Sequence, residues 1–390
     1  MKILLIAYQF GGNASGIMSY RVASELECQG HDVFIVTEYN HVSSENWNPQ
    51  KCLEVKHIFS KQSIYNKIYW HISQKYKRTG IDNIWCFRTF IKAFIFAKSW
   101  RPDWIYCRSS PIHANIIGGN FAKFGYNVLQ HFADPFPSPL SFYREAENRE
   151  QMKSVVIPLL KSASLVSMGN DAMMAYMLKE TGVDFSSKSF VSPDPAPYDK
   201  IEYRFDGNLI NNKKRHITYL GEIYASRNPQ NLFDAIFNIN QRGGQLFLSI
   251  FSDTKRDLPE KYSQYISWQG RKNNVKTIIE QSDILVDLDG DEEIPVFISS
   301  KLKDYLCSDV PVLSITPINS PSNRLLQNLR TIKTVQNRVE DIQSALEYLL
   351  NEPFTESDYA ERITVLHPFV KKNIVEEIIS QCSSITGKRY

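Results

Sequence analysis

The sequence contains no run of about 20 apolar residues, the length that a helix needs to cross a lipid bilayer. Its first residues, from Lys2 to Tyr8, have the composition of a β-strand. They lack the apolar region and the small-residue cleavage site of a secretory signal peptide. We therefore expect a cytoplasmic protein without a membrane-spanning segment.

Cysteine is also scarce, and its spacing excludes several kinds of site. The six cysteines form no C-x-x-C pattern and no Cys/His spacing typical of a zinc site. They are scattered along the chain, several of them inside apolar runs: Cys28, Cys52, Cys86, Cys107, Cys307 and Cys382. Buried free thiols commonly occupy such positions, which fits a reducing compartment.

A large net charge and a dinucleotide-binding pattern are also absent, and each absence argues against a class of function. The formal net charge of +3 is too small to indicate a nucleic-acid partner. The chain also lacks the G-x-G-x-x-G pattern that marks many dinucleotide-binding proteins. A length of 390 residues, with 43% hydrophobic and 22% charged residues, favours a soluble protein of two globular domains.

The chain opens with a strand, a glycine-containing loop, a helix and a second strand, which is the pattern of a βαβ unit with a parallel sheet. Gly12 and Gly16 in the loop allow the backbone to approach a ligand closely at the start of a helix. We regard them as candidate ligand-binding residues, the alternative being a flexible turn.

Residues 57–101 are strongly basic and aromatic, with nine Lys or Arg and Asp82 as the one acid. Their spacing predicts two amphipathic helices. Such helices bind anionic membrane surfaces, at about 1 kcal/mol for each Lys or Arg near the surface. The alternative is a helix pair that packs on the sheet and leaves its lysines in solvent.

A strand predicted at 126–130 is followed by His131 and Asp134. Sites in α/β proteins lie at the carboxyl ends of parallel strands. Asp134 is therefore the first candidate for a catalytic base or a group that orients a hydroxyl, and His131 is the second. Alternatively, Asp134 and Pro135 form only a turn.

The second half repeats the strand and helix pattern after a proline-rich segment, 190–197, that we interpret as an interdomain linker. A strand at 216–220 precedes Gly221, and Arg227 lies just before the next helix. A guanidinium group binds phosphate oxygens in pairs, so these residues are a candidate diphosphate site. The alternative is an arginine exposed to solvent.

Residues 299–306 predict a short helix that leads into a buried strand. The helix start at Ser300 exposes unpaired amides, and Lys301 adds a cation beside them. Asp304, one turn further on, can accept hydrogen bonds from two hydroxyls. Together these features suit a nucleotide sugar, although an ordinary amphipathic helix has the same pattern.

This segment, SSKLKDYLCSDVPVL, resembles the "PSKLFEYLAAGKPVL" segment of nucleotide-sugar glycosyltransferases of the GT-B fold, especially the retaining enzymes of glycosyltransferase family 4. HFADPF at 131–136 is similar to their "DFRDPW" loop. ISWQG, SDILVDL and SSKL also occur in the family's order. The resemblance implies an α/β protein with two Rossmann-like domains whose parallel sheets face a central cleft, with Asp304 binding the donor ribose.

The sequence departs from the family at two positions. The family often has a Glu-x7-Glu pair, but Val296 precedes Asp304 by eight positions. Glu292 or Glu293 can supply the missing carboxylate, and Glu293 is our candidate. Glu222 also stands where the family has a phosphate-binding arginine.

The resemblance implies an acceptor-binding domain at 1–195, a nucleotide-sugar-binding domain at 196–365 and a C-terminal helix, 366–390, that crosses back to the first domain. It implies sugar transfer from a nucleotide diphospho-sugar to a glycan or lipid-linked acceptor in cell-surface polysaccharide synthesis. We expect the enzyme to be retaining and peripheral on the inner membrane face.

No cofactor is expected. We also expect metal independence, since only Asp287-Leu288-Asp289 approaches a metal-binding Asp-x-Asp pattern. Two alternatives remain at this point, a sugar-nucleotide epimerase of the same fold and a non-catalytic sugar-binding partner subunit.

Overall fold

The computed structural model describes residues 1–40, 51–56, 83–139, 148–202, 204, 214–223, 226–254, 257–272 and 274–386. The chain divides into two compact units. Unit 1 is Met1–Pro195 with Lys371–Tyr390, and unit 2 is Ala196–Val370.

Unit 1 alternates strands with helices. In chain order its elements are β1 (Lys2–Ala7), β2 (Gln9–Phe10), α1 (Ala14–Cys28), β3 (Asp32–Thr37), β4 (Tyr39–Asn40), β5 (Cys52–Glu54), α2 (Asn83–Trp100), β6 (Trp104–Arg108), α3 (His113–Lys123), β7 (Val128–Phe132), α4 (Arg149–Ser162), β8 (Leu165–Met168), α5 (Asp171–Thr181) and β9 (Ser189–Val191). Seven of these strands form a parallel sheet in the order β5-β3-β1-β6-β7-β8-β9, and β2 pairs with β4.

Unit 2 repeats this architecture. Its elements are β10 (Arg215–Leu220), α6 (Gln230–Gln241), β11 (Leu246–Phe251), β12 (Ile266–Gln269), α7 (Val275–Glu280), β13 (Ile284–Leu288), α8 (Ser300–Leu306), β14 (Val312–Ile315), α9 (Pro321–Leu326), β15 (Ile332–Val335), α10 (Val339–Asn351) and α11 (Glu356–Leu366). The parallel sheet has the order β12-β11-β10-β13-β14-β15. The last helix, α12 (Lys371–Thr386), belongs to unit 1.

Helices cover the strands on both faces, which explains their continuous apolar runs. All of β1 except its first residue is buried. α12 joins the core of unit 1 through its buried residues Ile374, Val375, Ile378 and Cys382. In unit 2, the fully buried Arg362 of α11 donates to the carbonyl oxygens of Ser308 and Val310, which fixes the segment that follows α8.

Each sheet has a point at which the strand order reverses. β1 lies between β3 and β6, and β10 lies between β11 and β13. The loops that follow the two central strands diverge there and leave a crevice at the carboxyl edge, where α/β proteins bind ligands. The fold therefore provides one candidate site in each unit.

Several local predictions can be compared directly with the structure. α8 has the predicted apolar face, with Leu302, Tyr305 and Leu306 buried. Ser299 occupies the N-cap position, but its side chain makes no capping hydrogen bond. Of the predicted helix pair at 57–101, residues 57–82 lie outside the described residues, whereas residues 83–100 form α2.

Candidate functional site

The crevice of unit 2 brings Gly221, just after β10, next to Lys301 of α8. Gly221 has a φ of 124°, which favours glycine. A Cβ atom at this position would lie 2.0 Å from Lys301 Cε. The sequence predicts Gly221 as part of a candidate diphosphate site, and in the structure the Lys301 side chain fills the space where a Cβ atom would lie.

Lys301 is held by an aromatic side chain. Its Nζ atom donates a 3.3 Å hydrogen bond to Tyr219 Oη and lies 4.6 Å from the centroid of that ring. Burial lowers the pKa of Lys301 to about 7, with a further decrease from Arg227, while the carboxylates of Asp287 and Asp289 act in the opposite direction. Lys301 therefore changes charge near neutral pH.

Two carboxylates at the end of β13 face this charge. Asp287 is fully buried and accepts a 3.4 Å hydrogen bond from Ser314, and Asp289 accepts a 3.2 Å bond from Thr316. Burial raises the pKa of Asp289 to about 7, and the charge of Asp287 adds to this rise. In the sequence, these two residues form only an approximate match to a metal-binding Asp-x-Asp pattern. The feature that indicates a site is the presence of two acids at the carboxyl end of an apolar strand.

Arg227 belongs to the same electrostatic cluster. It donates a 3.2 Å hydrogen bond to the carbonyl oxygen of Glu222. Its charge also influences the pKa values of both Lys301 and Asp289. The structure therefore places Gly221, Arg227 and Lys301 in the same crevice.

The other predicted donor residues lie along the same segment. Ser300 and Asp304 are partly buried in α8, which has only seven residues. Glu293 is exposed, whereas Glu292 turns inward beside Gly290 and has a buried Oε1 atom. Of the two glutamates that the sequence left open, the structure buries the carboxylate of Glu292.

The crevice of unit 1 contains Asp134, which follows β7. Burial raises the pKa of Asp134, and a hydrogen bond that its carboxylate accepts from the Ser110 side chain acts in the opposite direction. Ser110 in turn pairs with Ser15, since Ser15 Oγ donates to the Ser110 carbonyl oxygen at 3.0 Å and accepts from its amide at 3.2 Å. Residues that follow β1, β6 and β7 thus converge around this carboxyl group.

His131 has a different environment from the one that the sequence suggested. β7 continues to Phe132, so His131 lies within the strand rather than in the loop after it, and its side chain is fully buried. Nδ1 lies 3.0 Å from Ser167 Oγ. Burial lowers the pKa of His131 well below its usual value, and Arg108 adds to the effect, so the ring stays neutral.

Arg108 is a buried cation that the sequence analysis did not single out. It is 1% exposed, and it donates to Tyr106 Oη at 2.7 Å and to Asp194 Oδ1 at 3.2 Å. The signal available in the sequence was a charged residue at the end of an apolar strand. Its partner Asp194 is 86 positions away and gave no local indication of the contact.

The glycines of the loop after β1 are needed for the backbone conformation and packing of that loop. Gly11 and Gly12 have positive φ angles of 69° and 72°. A Cβ atom on Gly16 would lie 2.1 Å from the carbonyl oxygen of Gly11, so the start of α1 packs directly against the loop. Gly16 is therefore required by the loop, whether or not a ligand binds there.

α2 exposes an apolar stripe on the surface of unit 1. Ile84, Phe87, Ile91 and Ile95 are 40%, 65%, 40% and 67% exposed, and they recur at helical spacing. Lys92, also exposed, borders the stripe. The opposite side of α2 is also apolar, with Trp85 and Phe90 buried, so the helix has apolar residues on two faces.

Among the residues that the structure describes, no helix is long and apolar enough to cross a membrane. Within the same residues, no group of three or more His, Cys, Asp or Glu side chains is arranged to hold a metal ion.

No family model and no curated protein matches this sequence. Solved structures do match it over nearly the full length. Sucrose-phosphate synthase from Thermosynechococcus elongatus has a TM-score of 0.71 and 14% identity, and the match covers 99% of both chains. A glycosyltransferase from Rickettsia africae has a TM-score of 0.65 and 13% identity, covering 99% of this chain and 98% of the other.

The chain is also similar in structure to a protein described as a different kind of enzyme. A candidate UDP-N-acetylglucosamine 2-epimerase from Listeria monocytogenes has a TM-score of 0.56 and 11% identity, covering 100% of this chain and 97% of the other. Identities this low establish the fold alone. With its two parallel sheets of seven and six strands, the chain has the GT-B fold with two Rossmann-like domains, which confirms the fold predicted from the sequence.

Proposed function

We propose that this protein is a glycosyltransferase that moves a sugar from a nucleotide diphospho-sugar to a glycan or lipid-linked acceptor. The observation that carries the proposal is the meeting of Lys301 and Arg227 in the crevice of unit 2. Two cations at the reversal point of a Rossmann-like sheet suit an anionic leaving group. The fold shared with a glycosyltransferase adds support.

The donor would bind to unit 2 through its diphosphate and its ribose. Lys301 and Arg227 would stabilise the negative charge that develops on the leaving diphosphate, with Gly221 leaving room for the lysine. The first amides of α8, near Ser300, would add a weaker attraction. Asp304 would accept the ribose hydroxyls, the role that the resemblance implies.

A glutamate would contact the donor sugar. Glu293 is the residue predicted from the sequence, and the inward orientation of Glu292 makes it the stronger candidate. The roles of the two glutamates can be tested separately, because Glu293 is exposed and its replacement should leave the buried Oε1 atom of Glu292 in place.

The acceptor would bind to unit 1, with Asp134 orienting the attacking hydroxyl or accepting its proton. Burial raises the pKa of Asp134, which makes the carboxylate a better base than an exposed one. His131 is less suited to this role, since its ring is fully buried within the sheet. Retention of the anomeric configuration and metal independence complete the proposal, both by analogy with family 4.

The acceptor and the cellular location form a linked proposal. The exposed apolar stripe of α2, with its neighbouring lysine, favours contact with an anionic membrane surface. A cytoplasmic enzyme held on the inner leaflet in this way would meet a lipid-linked acceptor there. Cell-surface polysaccharide synthesis is the process that such an acceptor serves.

A second candidate function is nucleotide-sugar epimerisation, because a candidate epimerase shares the fold. An epimerase binds the same kind of donor but needs no acceptor. The two activities therefore differ in what becomes of the sugar rather than in whether the nucleotide binds.

A panel of UDP-, GDP-, ADP- and CMP-sugars tests both functions. We expect at least one nucleotide diphospho-sugar to raise the melting temperature and to release free sugar slowly, with the same rate after chelation of divalent metals. Conversion of the donor into its epimer would favour the second function. If no nucleotide or nucleotide sugar binds, the proposed donor site is wrong.

A further inference from the structure

Glu222 stands where the resembling family has a phosphate-binding arginine, but its carboxylate is fully engaged with another loop. Oε2 accepts hydrogen bonds from Ser252 Oγ at 2.9 Å, the Thr254 amide at 3.1 Å and Thr254 Oγ1 at 2.7 Å. Oε1 accepts from the Asp253 amide at 3.1 Å. Burial alone would raise the pKa of Glu222, but these bonds outweigh it and lower the pKa.

The same residue also organises the cations of the crevice through its backbone. The carbonyl oxygen of Glu222 accepts a 2.9 Å hydrogen bond from Tyr219 Oη and a 3.2 Å bond from Arg227. Tyr219 is the hydroxyl to which Lys301 donates. Both cations are thus linked to the position of one peptide group.

The network extends to a third loop. Asp253 accepts a 3.1 Å hydrogen bond from the amide of Arg271, which follows β12. The loops after β10, β11 and β12 are therefore tied together at the carboxyl edge of the sheet. A cavity of about 550 Å³ lies beside the third of these loops, lined among others by Phe251, Gln269 and Lys272.

We propose that Glu222 is a positioning residue that holds these three loops and both cations in the arrangement that binds the nucleotide. The carboxylate replaces the family's arginine by fixing the loops rather than by contacting phosphate. This inference rests on the proposed function, because it assumes that a nucleotide diphospho-sugar binds to unit 2.

Three substitutions at this position distinguish the positioning role from a vacant cation site. The probe is the nucleotide sugar that binds the wild-type protein most tightly in the panel above, titrated by calorimetry. We expect Glu222→Ala and Glu222→Arg each to weaken binding by about tenfold or more, since both remove the acceptor of four hydrogen bonds. Glu222→Gln keeps one acceptor oxygen and should recover part of the affinity.

Thr254→Val provides an independent variant, because it removes one donor to Glu222 on an exposed loop. We expect it to weaken binding less than Glu222→Ala. Tighter binding by Glu222→Arg would overturn the proposal in favour of a missing phosphate cation. Unchanged affinity of Glu222→Ala would also overturn it. If the wild-type protein binds no nucleotide, it is the proposed function that fails.

Discussion

The two crevices share one topology but differ in the charge that they present. In unit 2, Lys301 and Arg227 interact across the end of the sheet, and Lys301 donates to a tyrosine rather than to a carboxylate. In unit 1, the cation Arg108 is 1% exposed and pairs with Asp194. The carboxyl group of this crevice, Asp134, accepts a hydrogen bond from Ser110.

Under the proposed function, this difference divides the transfer reaction between the two units. A crevice with cations suits an anionic leaving group, and a crevice with a carboxylate of raised pKa suits a hydroxyl nucleophile. The sheets themselves do not determine this division; the side chains after each strand do.

The largest expected effect comes from removing the carboxylate of unit 1. Asp134→Asn should lower the transfer rate by about 100-fold or more, the usual contribution of a positioned base. Its affinity for the donor should stay unchanged, because the proposed donor site lies in the other unit. Initial rates with saturating donor, together with calorimetric titration of the nucleotide sugar, measure the two quantities.

Asp171→Asn is the matched control, since Asp171 is exposed in the first turn of α5. A similar loss of rate in both variants would assign Asp134 a general structural role. A loss of donor affinity in Asp134→Asn would contradict the division between the units.

The next effect concerns the cations of unit 2. Lys301→Ala and Arg227→Ala should each weaken binding of a nucleotide sugar by about 10- to 100-fold, because each would remove the proposed charge-assisted hydrogen bonds to the diphosphate. Arg242→Ala is the control, since Arg242 is exposed between α6 and β11. Wild-type affinity in both cation variants would show that the donor binds elsewhere.

Local sequence patterns predict part of this molecule. The strand and helix pattern, and the place of Lys301 at the start of a short helix, follow from periodicity and the family resemblance. The end of β7 was placed too early, because the chain beyond residue 130 looks like a loop. Its pairing with β6 and β8 instead keeps His131 inside the sheet.

The contacts that give the residues their roles were beyond the sequence. Glu222 meets Thr254 across 32 positions, and Lys301 meets Tyr219 across 82. A carboxylate in place of an arginine looked like the loss of a phosphate ligand. Only the folded loops show that it has other partners.

Two groups that titrate in the unit 2 crevice should make the affinity for a nucleotide sugar depend on pH. Lys301 and Asp289 both have pKa values of about 7. Below pH 7 the lysine is charged and the aspartic acid is neutral, so the crevice is more positive; above pH 7 both changes reverse. Affinity for a nucleotide diphospho-sugar should therefore fall as pH rises through 7, by up to about tenfold per pH unit for each linked proton.

Calorimetry between pH 6 and pH 8.5 measures this slope. Lys301→Arg keeps its charge over the whole range and should flatten the curve, and Asp289→Asn should flatten it in the same way. A wild-type affinity that is independent of pH would mean that neither group titrates in this range. The unit 1 carboxylate should not contribute, which separates the two crevices again.

The smallest effect concerns the surface of unit 1. If the apolar stripe of α2 docks on anionic membranes, Lys92→Gln should reduce binding to vesicles with anionic headgroups by about fivefold, the equivalent of about 1 kcal/mol. Lys372→Gln is the control, because Lys372 is 68% exposed on α12.

Replacing the exposed Phe87 with serine should weaken binding to neutral vesicles too, since burial of the ring does not depend on lipid charge. Equal partitioning of the wild-type protein and both α2 variants would leave this surface without a membrane role, and the difference between the units would then be confined to their crevices.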